Sequence, residues 1–404
     1  MINLDTPRKF KPLVRQAQEV ASEVLRPISR KYDRAEHERP VELDMLAAVI
    51  DGMNDGNSEV GGTGATGVRR DDRADPSVNR NGTNISTCLS IMELCWGDVG
   101  MLLSMPRQGL GNAAIASVAN DEQLKRFKGR WAAMAITEPG CGSDSAAIRT
   151  TARLDGDHYV LNGEKIYVTA GDRADLVVVW ATLDRSLGRG AIKSFVVEKG
   201  TPGFDLVRLE HKLGIRASDT AAFLLKDCRV PKANLLGDPE INPEKSFAGV
   251  MQTFDNTRPL VASMAVGLTR ACIEEMGRIL QECGLTPDYD RPMHRQPHAV
   301  AEYVRMQADY EAARLLTLQA AWMADNAKPN SLHASLAKAK AGRTCVDVAL
   351  KCVELAGSIG YTETALLEKW ARDSKILDIF EGTQQIQLLI IARRLLGKSS
   401  AELK

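Results

Sequence analysis

The stretch ARLDGDHYVLNGEKIYVTAG, residues 152–171, decides the fold because the hydrophobic period of the chain changes there. Its β-branched and aromatic residues form short runs, separated by Asp-Gly and Asn-Gly pairs that favour hairpin turns. Similar short runs follow in ADLVVVWATL, KSFVVEKG and AAFLLKDCRV. We therefore expect an antiparallel β domain over residues 131–242.

Both flanks of this segment carry the helical period instead. From Leu13 to Leu25 the apolar residues recur at three-and-four spacing, and helical character continues to about residue 131. Beyond the β segment, amphipathic helices are expected around 244–283, 297–327, 331–356, 365–378 and 383–396. The sequence thus predicts a mainly α protein with a central antiparallel β domain, divided into 1–130, 131–242 and 243–404.

Residues 51–84 interrupt the first helical region. They are rich in Gly, Asp, Asn and Arg and cannot bury enough apolar surface to form a helix. A long surface loop is expected here.

Composition excludes several classes of function. The 404 residues contain 52 Lys+Arg and 52 Asp+Glu, so no overall basic field could hold a nucleic acid or an anionic membrane. No run of 18 apolar residues could span a bilayer. The eight cysteines form no C-x-x-C pair and have no histidine at ligand spacing, so we expect no metal site and a reducing, cytoplasmic location.

Two segments of the β region carry groups that could contact a ligand. In ITEPGCGSD, residues 136–144, glycines let the backbone approach a ligand, while Thr137 and Ser143 supply hydroxyls. Tyr167 and Thr169 share one face of the next strand and could flank a flat heterocycle. The alternatives are an ordinary Pro-Gly turn and a tyrosine in the core.

Two segments of the helical bundle region also carry polar groups. In FDNTRP, residues 254–259, Asp255 and Arg258 project from one helix face, where they could hold a polar ligand or pair with each other. In DIFEGTQQIQ, residues 378–387, Glu381 stands directly before a glycine, between two segments with helical character. A carboxylate kept from water at such a position would be a stronger base at neutral pH.

Six motifs in order resemble the acyl-CoA dehydrogenase family: ITEPGCGSD, YVT, LGIRASDT, RVPKANLLG, FDNTRP and ARDSKILDIFEGTQQIQ. The resemblance runs from about residue 85 to the C-terminus. The family fold, a helical domain, a β domain and a C-terminal four-helix bundle, agrees with the organisation expected from periodicity. The resemblance implies FAD as cofactor and oxidation of an acyl-CoA thioester to the trans-2-enoyl-CoA, as in fatty acid or lipid β-oxidation.

The resemblance also implies roles for single residues. Glu381 would be the catalytic base, its own N–H and a flavin hydroxyl would hold the thioester oxygen, and flavin N5 would receive the hydride. The expected flavin contacts are Ile136, Thr137, Gly142, Ser143, Tyr167, Thr169, Thr383 and Gln385. The expected substrate contacts are Phe254, Asp255, Arg258 and Phe380. The family usually has tryptophan in place of Tyr167, and an electron-transfer flavoprotein usually accepts the electrons.

The chain departs from the family where a neighbouring subunit normally completes the FAD site. Thr286 stands where the family has an arginine, Glu354 where it has a glutamine, and Ser358 where it has a glycine. Two explanations are open. Either Arg291 or Arg295 holds the phosphates in a homo-oligomer, or the chain is the base-bearing subunit of a heteromer like those of some actinobacterial members.

Two rival functions also remain open. A flavin oxidase or monooxygenase of the same fold would release peroxide during turnover without an external acceptor. A non-catalytic partner subunit would have no need of Glu381. The sequence leaves open the acyl-chain length and whether a branched or steroid substrate is used.

Overall fold

The structure, a computed structural model, describes residues 6–54, 79–106, 110–241, 248–399 and 402. The side chains of 49–54 and 248–256 are outside the described part. The first helical region consists of α1 (Lys11–Val20), α2 (Arg26–Arg34), α3 (Val41–Asn54), α4 (Thr83–Gly97), α5 (Val99–Ser104), α6 (Leu110–Val118) and α7 (Asp121–Arg126).

The helices extend into both ends of the loop expected at 51–84, and residues 55–78 lie outside the described residues. At the C-terminal end of this segment, the carboxylate of Asp325 accepts hydrogen bonds from the backbone N–H groups of Gly82 at 2.8 Å, Asn84 at 2.9 Å and Ile85 at 3.1 Å. A distant side chain therefore satisfies the first N–H groups of α4, which otherwise lack partners.

The β region forms a seven-stranded sheet in the order β1-β4-β2-β3-β7-β6, with β5 paired to β4. Its strands are β1 (Ala132–Ala135), β2 (Thr151–Asp155), β3 (His158–Thr169), β4 (Leu176–Thr182), β5 (Ile192–Glu198), β6 (Phe204–Leu209) and β7 (Thr220–Pro231). Most pairs are antiparallel, as expected, but β4 is parallel to both β1 and β2. Residue alternation does not encode the direction of a partner strand.

The two turn signals in the opening stretch have different outcomes. Asp155 pairs with His158, so Gly156, at φ 62°, lies in the expected two-residue turn. The Asn162-Gly163 pair instead lies inside β3, where the register with β7 shifts. The prediction of a turn there was wrong because the Asn162 side chain accepts a hydrogen bond from the Asp227 N–H at 2.9 Å and links the two strands.

The C-terminal region is helical. It consists of α8 (Ala248–Glu282), α9 (His298–Asp325), α10 (Ser331–Ala356), α11 (Ser358–Tyr361), α12 (Leu367–Ser374) and α13 (Gln384–Leu396). The helix expected at 365–378 ends in a 3₁₀ turn over its last four residues. The largest apolar core packs these helices against α4, and the predicted fold class is confirmed. None of the described helices has the length and apolar character that crossing a bilayer requires.

The eight cysteines are all free thiols in the described residues. Seven are buried, and Cys283, just after α8, is exposed. Burial raises the pKa of the Cys345 thiol to about 12. The buried thiols therefore act as small apolar side chains.

One buried cation joins three parts of the chain. Lys369 Nζ on α12 lies 2.7 Å from Asp98 Oδ2 and 2.5 Å from Asp373 Oδ2. Ser29 on α2 donates to the Asp98 carboxylate, and the Ile215 N–H of the β6–β7 connection donates to Asp373 Oδ1 at 2.5 Å. These contacts hold α12, and the segment that follows it, against the N-terminal helical region and the β region.

Replacing this cation tests its contribution. Lys369→Met is expected to lower the free energy of unfolding by about 3–5 kcal/mol, because it leaves two buried carboxylates without their counterion. The measurement is urea denaturation followed by circular dichroism. Arg278→Gln, which breaks exposed ion pairs, should change stability by less than about 0.5 kcal/mol; equal effects of both substitutions would contradict the assignment.

Candidate active site

Glu381 lies in a short strained connection between the 3₁₀ turn and α13. Its φ is 55° and that of Gly382 is 92°. The left-handed region is uncommon for a residue with a Cβ, and such strain concentrates at functional sites. The expected glutamate therefore stands where the backbone conformation is unusual.

Two buried side chains donate hydrogen bonds to the backbone carbonyls of this connection. Gln387 Nε2 donates to the Glu381 carbonyl at 3.0 Å and to the Gly382 carbonyl at 3.2 Å. Lys338 Nζ, on α10, donates to the same Gly382 carbonyl at 2.7 Å. Both side chains are fully buried. Neither was found from the sequence, because no local spacing relates Lys338 to Glu381.

The carboxylate of Glu381 is partly neutralised by its surroundings. Thr257, on α8, donates its hydroxyl to Glu381 Oε2 at 2.8 Å. Burial raises the pKa of Glu381, while the Thr257 hydrogen bond and the positive charges of Arg258 and Lys338 act in the opposite direction. Desolvation is the largest effect, so the carboxylate is a stronger base than one in water.

The expected substrate residues are described to different extents. Arg258 is buried on α8, next to Thr257. Phe254 and Asp255 lie on the same helix, but their side chains are outside the described residues. Phe380 is half-buried and packs against the helical core. The predicted roles of these residues stay predictions.

Tyr167 lies in a bulge of β3 and is 62% exposed. Its φ is 58°, and two residues of β3 oppose one of β7 at this point. The alternative that Tyr167 belongs to the core is therefore wrong. Thr169, two residues further along β3, is half-buried and pairs with Thr220.

The ITEPGCGSD loop is held next to this bulge. The Ile166 N–H donates to the Thr137 carbonyl at 3.0 Å. Below the loop, buried Lys165 Nζ lies 2.7 Å from Glu138 Oε1 and 3.2 Å from the Ile136 carbonyl. This ion pair, which the sequence did not reveal, anchors a loop in which Pro139, Gly140 and residues 142–144 are exposed.

The residues of this face fit a flat, hydrogen-bonding cofactor. Tyr167 offers an exposed aromatic plane, and Ile136, Thr137 and Thr169 are half-buried beside it. Gly142 and Ser143 are exposed, and a Cβ at Gly142 would meet only Thr137 Cγ2 at 3.8 Å. The remaining two expected contacts lie at the start of α13: the Thr383 hydroxyl accepts from the Ile386 N–H at 3.4 Å, and Gln385 is exposed.

The segments expected from a neighbouring subunit lie on the surface. Arg291 and Arg295 are exposed in the connection between α8 and α9. Glu354 is exposed, and Lys351 Nζ lies 2.8 Å from its Oε2. A carboxylate at this position would repel a phosphate group, and the adjacent ammonium of Lys351 reduces that repulsion. Ser358 begins α11.

Within the described residues, Glu36, His37 and His211 bring three possible ligand atoms within 4.8 Å of one another. No such group was expected from the sequence. Glu36 Oε2 lies 3.1 Å from Arg216, and its Oε1 accepts from the Lys212 N–H at 2.8 Å. With a guanidinium already on this carboxylate, we assign the cluster to the contact between α2 and the β domain.

Comparisons with known proteins decide the family. The model of the acyl-CoA dehydrogenase middle domain matches residues 133–228, and that of the C-terminal domain matches 247–396. The short-chain specific acyl-CoA dehydrogenase of Clostridium acetobutylicum is 34% identical over 322 residues, covering 78% of this chain and 83% of the relative. The chain belongs to the acyl-CoA dehydrogenase family. Members of this family are FAD-dependent oxidoreductases that act on acyl-CoA.

Two further proteins show the extent of the likeness. The mitochondrial short-chain specific acyl-CoA dehydrogenase of Mus musculus is 38% identical over 262 residues, which span 65% of this chain and 62% of the length of that relative. The structure of butyryl-CoA dehydrogenase from Megasphaera elsdenii superimposes with a TM-score of 0.82 at 26% identity, covering 98% of this chain and all of the other. The likeness in fold therefore extends over almost the whole chain.

A single methyl group tests the strained connection. In Gly382→Ala, the new Cβ would lie 2.4 Å from Gln387 Nε2 at a φ unsuited to alanine, so we expect a loss of about 1–3 kcal/mol in unfolding free energy. Gly140→Ala is the control, because nothing lies within 4 Å of its Cβ position. Urea denaturation measures both, and equal stabilities would mean that the connection relaxes without cost.

Proposed function

We propose that the chain catalyses the FAD-dependent α,β-dehydrogenation of an acyl-CoA thioester to the trans-2-enoyl-CoA, with Glu381 as the base. The observation that carries the proposal is the Glu381 carboxylate. The residue is half-buried, this burial raises the pKa of its carboxylate, and its backbone is held in a strained conformation. These are the properties needed to remove a weakly acidic proton from the carbon next to a thioester.

The chain's own groups account for the proton transfer. Thr257 holds one carboxylate oxygen of Glu381, which leaves Oε1 to take the α-proton. The electron pair of that C–H bond would form the new double bond as a hydride leaves the β-carbon, and FAD, held by the residues named in the next paragraph, would supply the hydride acceptor. Within the described residues no group accepts a hydrogen bond from the Glu381 N–H, which suits it to bind the thioester oxygen where charge develops.

The cofactor and substrate contacts follow as part of the proposal. Ile136, Thr137, Gly142, Ser143, Tyr167 and Thr169 would hold the flavin from the β domain, and Thr383 and Gln385 would contact it from α13. Phe254, Asp255, Arg258 and Phe380 would line the substrate channel. The exposed plane of Tyr167 and the burial of Arg258 beside Thr257 support these roles.

Substrate, partner and location are proposed from the relatives and the thiols. The two relatives described above are named short-chain specific, so a short acyl chain is the first substrate to test. An electron-transfer flavoprotein is the proposed electron acceptor, in the context of fatty acid oxidation. The eight free cysteines support a reducing compartment, the cytoplasm.

Removing the base tests the proposed function. Glu381→Gln is expected to lower kcat by about 10²- to 10⁴-fold, while FAD absorbance and the melting temperature stay close to wild type. Turnover is measured with butyryl-CoA and an artificial electron acceptor. Glu282→Gln, on the exposed end of α8, is the matched control. Full activity of Glu381→Gln would remove the base assignment, and peroxide release by the wild type without an acceptor would favour an oxidase.

The oligomer is proposed to be either a homo-oligomer or a heteromer with a second acyl-CoA dehydrogenase-like subunit. The exposed Arg291 and Arg295 support the homo-oligomer, because their side chains are accessible to the phosphates of FAD bound by a neighbouring subunit. The departures at Thr286, Glu354 and Ser358 support the second.

Counting FAD per chain separates these alternatives. On the heteromer alternative, the chain purified alone should carry little FAD, and co-expression with the product of a neighbouring gene should restore it. The ratio is obtained from flavin absorbance and amino-acid analysis. Near-stoichiometric FAD on the lone protein would eliminate the heteromer.

A further inference from the structure

We propose that Lys338 is a positioning residue for the base. It fixes the Glu381-Gly382 connection through its hydrogen bond to the Gly382 carbonyl and, together with buried Arg258, supplies positive charge that stabilises the ionised Glu381 carboxylate. This inference deepens the proposed function and rests on it, since it concerns Glu381 as a base.

The contacts of Lys338 are unusual for a buried cation. The residue is fully buried on α10, and its hydrogen bond goes to the Gly382 carbonyl. Within the described residues, no carboxylate lies at ion-pair distance from Nζ; Asp378, which is close enough to act on its charge, is 3.1 Å from both Arg343 and Lys375. An ammonium buried in this way is costly, so a function that uses its charge is expected.

The reach of Lys338 to the connection has a structural cause. One turn further along α10, a Cβ at Gly342 would lie 2.6 Å from the Leu377 carbonyl. The close approach of α10 to the segment before Glu381 therefore depends on a glycine. This approach brings Nζ within hydrogen-bond distance of the Gly382 carbonyl.

A neutral side chain already supplies the hydrogen bonds that the backbone needs. Gln387 donates to both carbonyls of the connection. If the Gly382 carbonyl needed only a second hydrogen-bond donor, a neutral side chain would be sufficient. What Lys338 adds to the hydrogen bonds of Gln387 is a positive charge that acts on the Glu381 carboxylate.

The electrostatics agree with this geometry. The groups that act on Glu381 are Thr257 and Arg258 from α8 and Lys338 from α10, all of which lower its pKa against the effect of burial. Burial and, to a smaller extent, the charge of Arg258 lower the pKa of Lys338 to about 8, against the opposing charges of Asp378 and Glu381. Lys338 is therefore charged at pH 7. Removing that charge must raise the pKa of Glu381, because the ionised carboxylate loses a favourable interaction.

The pH dependence of kcat for the FAD-loaded protein tests the inference. In Lys338→Met, the low-pH limb of the kcat profile, where Glu381 becomes protonated, should move to higher pH by about one unit. In Lys338→Arg this acid limb should stay at its wild-type position. Lys340→Met, an exposed lysine on the same helix, is the matched control. Gln387→Leu removes the neutral donors and should lower kcat without moving the acid limb. Lys338→Gln, which is neutral but retains a donor, serves the same test if the methionine variant does not fold.

A readout without turnover keeps this test separate from that of the proposed function. The carboxyl stretch of Glu381, isolated by subtracting the infrared spectrum of Glu381→Gln, titrates whether or not the substrate is correct. A shift of this titration in Lys338→Met supports the inference even if butyryl-CoA is not oxidised. An unchanged Glu381 titration and acid limb, with kcat reduced equally at every pH, would reduce Lys338 to a structural role and overturn it.

Discussion

The whole candidate site depends on one backbone constraint, the left-handed conformation of Glu381 and Gly382. A carboxylate on such a backbone stays in place only if its surroundings over-determine the conformation. Here the determinants come from two directions, Gln387 on the following helix and Lys338 on α10. The position of the Glu381 carboxylate is thus a property of helix packing, and the connection itself contributes little to it.

The same packing sets the charge balance around the Glu381 carboxylate. Burial favours the protonated form of Glu381, and a hydroxyl and two cations from α8 and α10 oppose it. Further back, Lys369 between Asp98 and Asp373 ties α12 to the N-terminal helices and the β domain. Since α12 leads through a single 3₁₀ turn to Glu381, the three regions of the chain all contribute to where the carboxylate lies.

The sequence predicted those features that local patterns encode. The change of hydrophobic period located the β region, the Asp-Gly pair marked the β2–β3 turn, and motif order indicated Glu381. Features that depend on distant partners were missed: the parallel pairing of β1 and β4, the strand contact that keeps Asn162-Gly163 out of a turn, and the cap that Asp325 provides to α4. Lys338 belongs to this second group, because only the approach of α10 to the loop places its ammonium under Gly382.

The distribution of thiols has a practical consequence. Since seven of the eight cysteines are buried and Cys283 is exposed, a maleimide dye applied to the native protein would attach at one place, just after α8. That place directly precedes the segment with Arg291 and Arg295. A fluorophore there would sense a neighbouring polypeptide chain through quenching or energy transfer, so the natural sequence already contains a reporter for assembly.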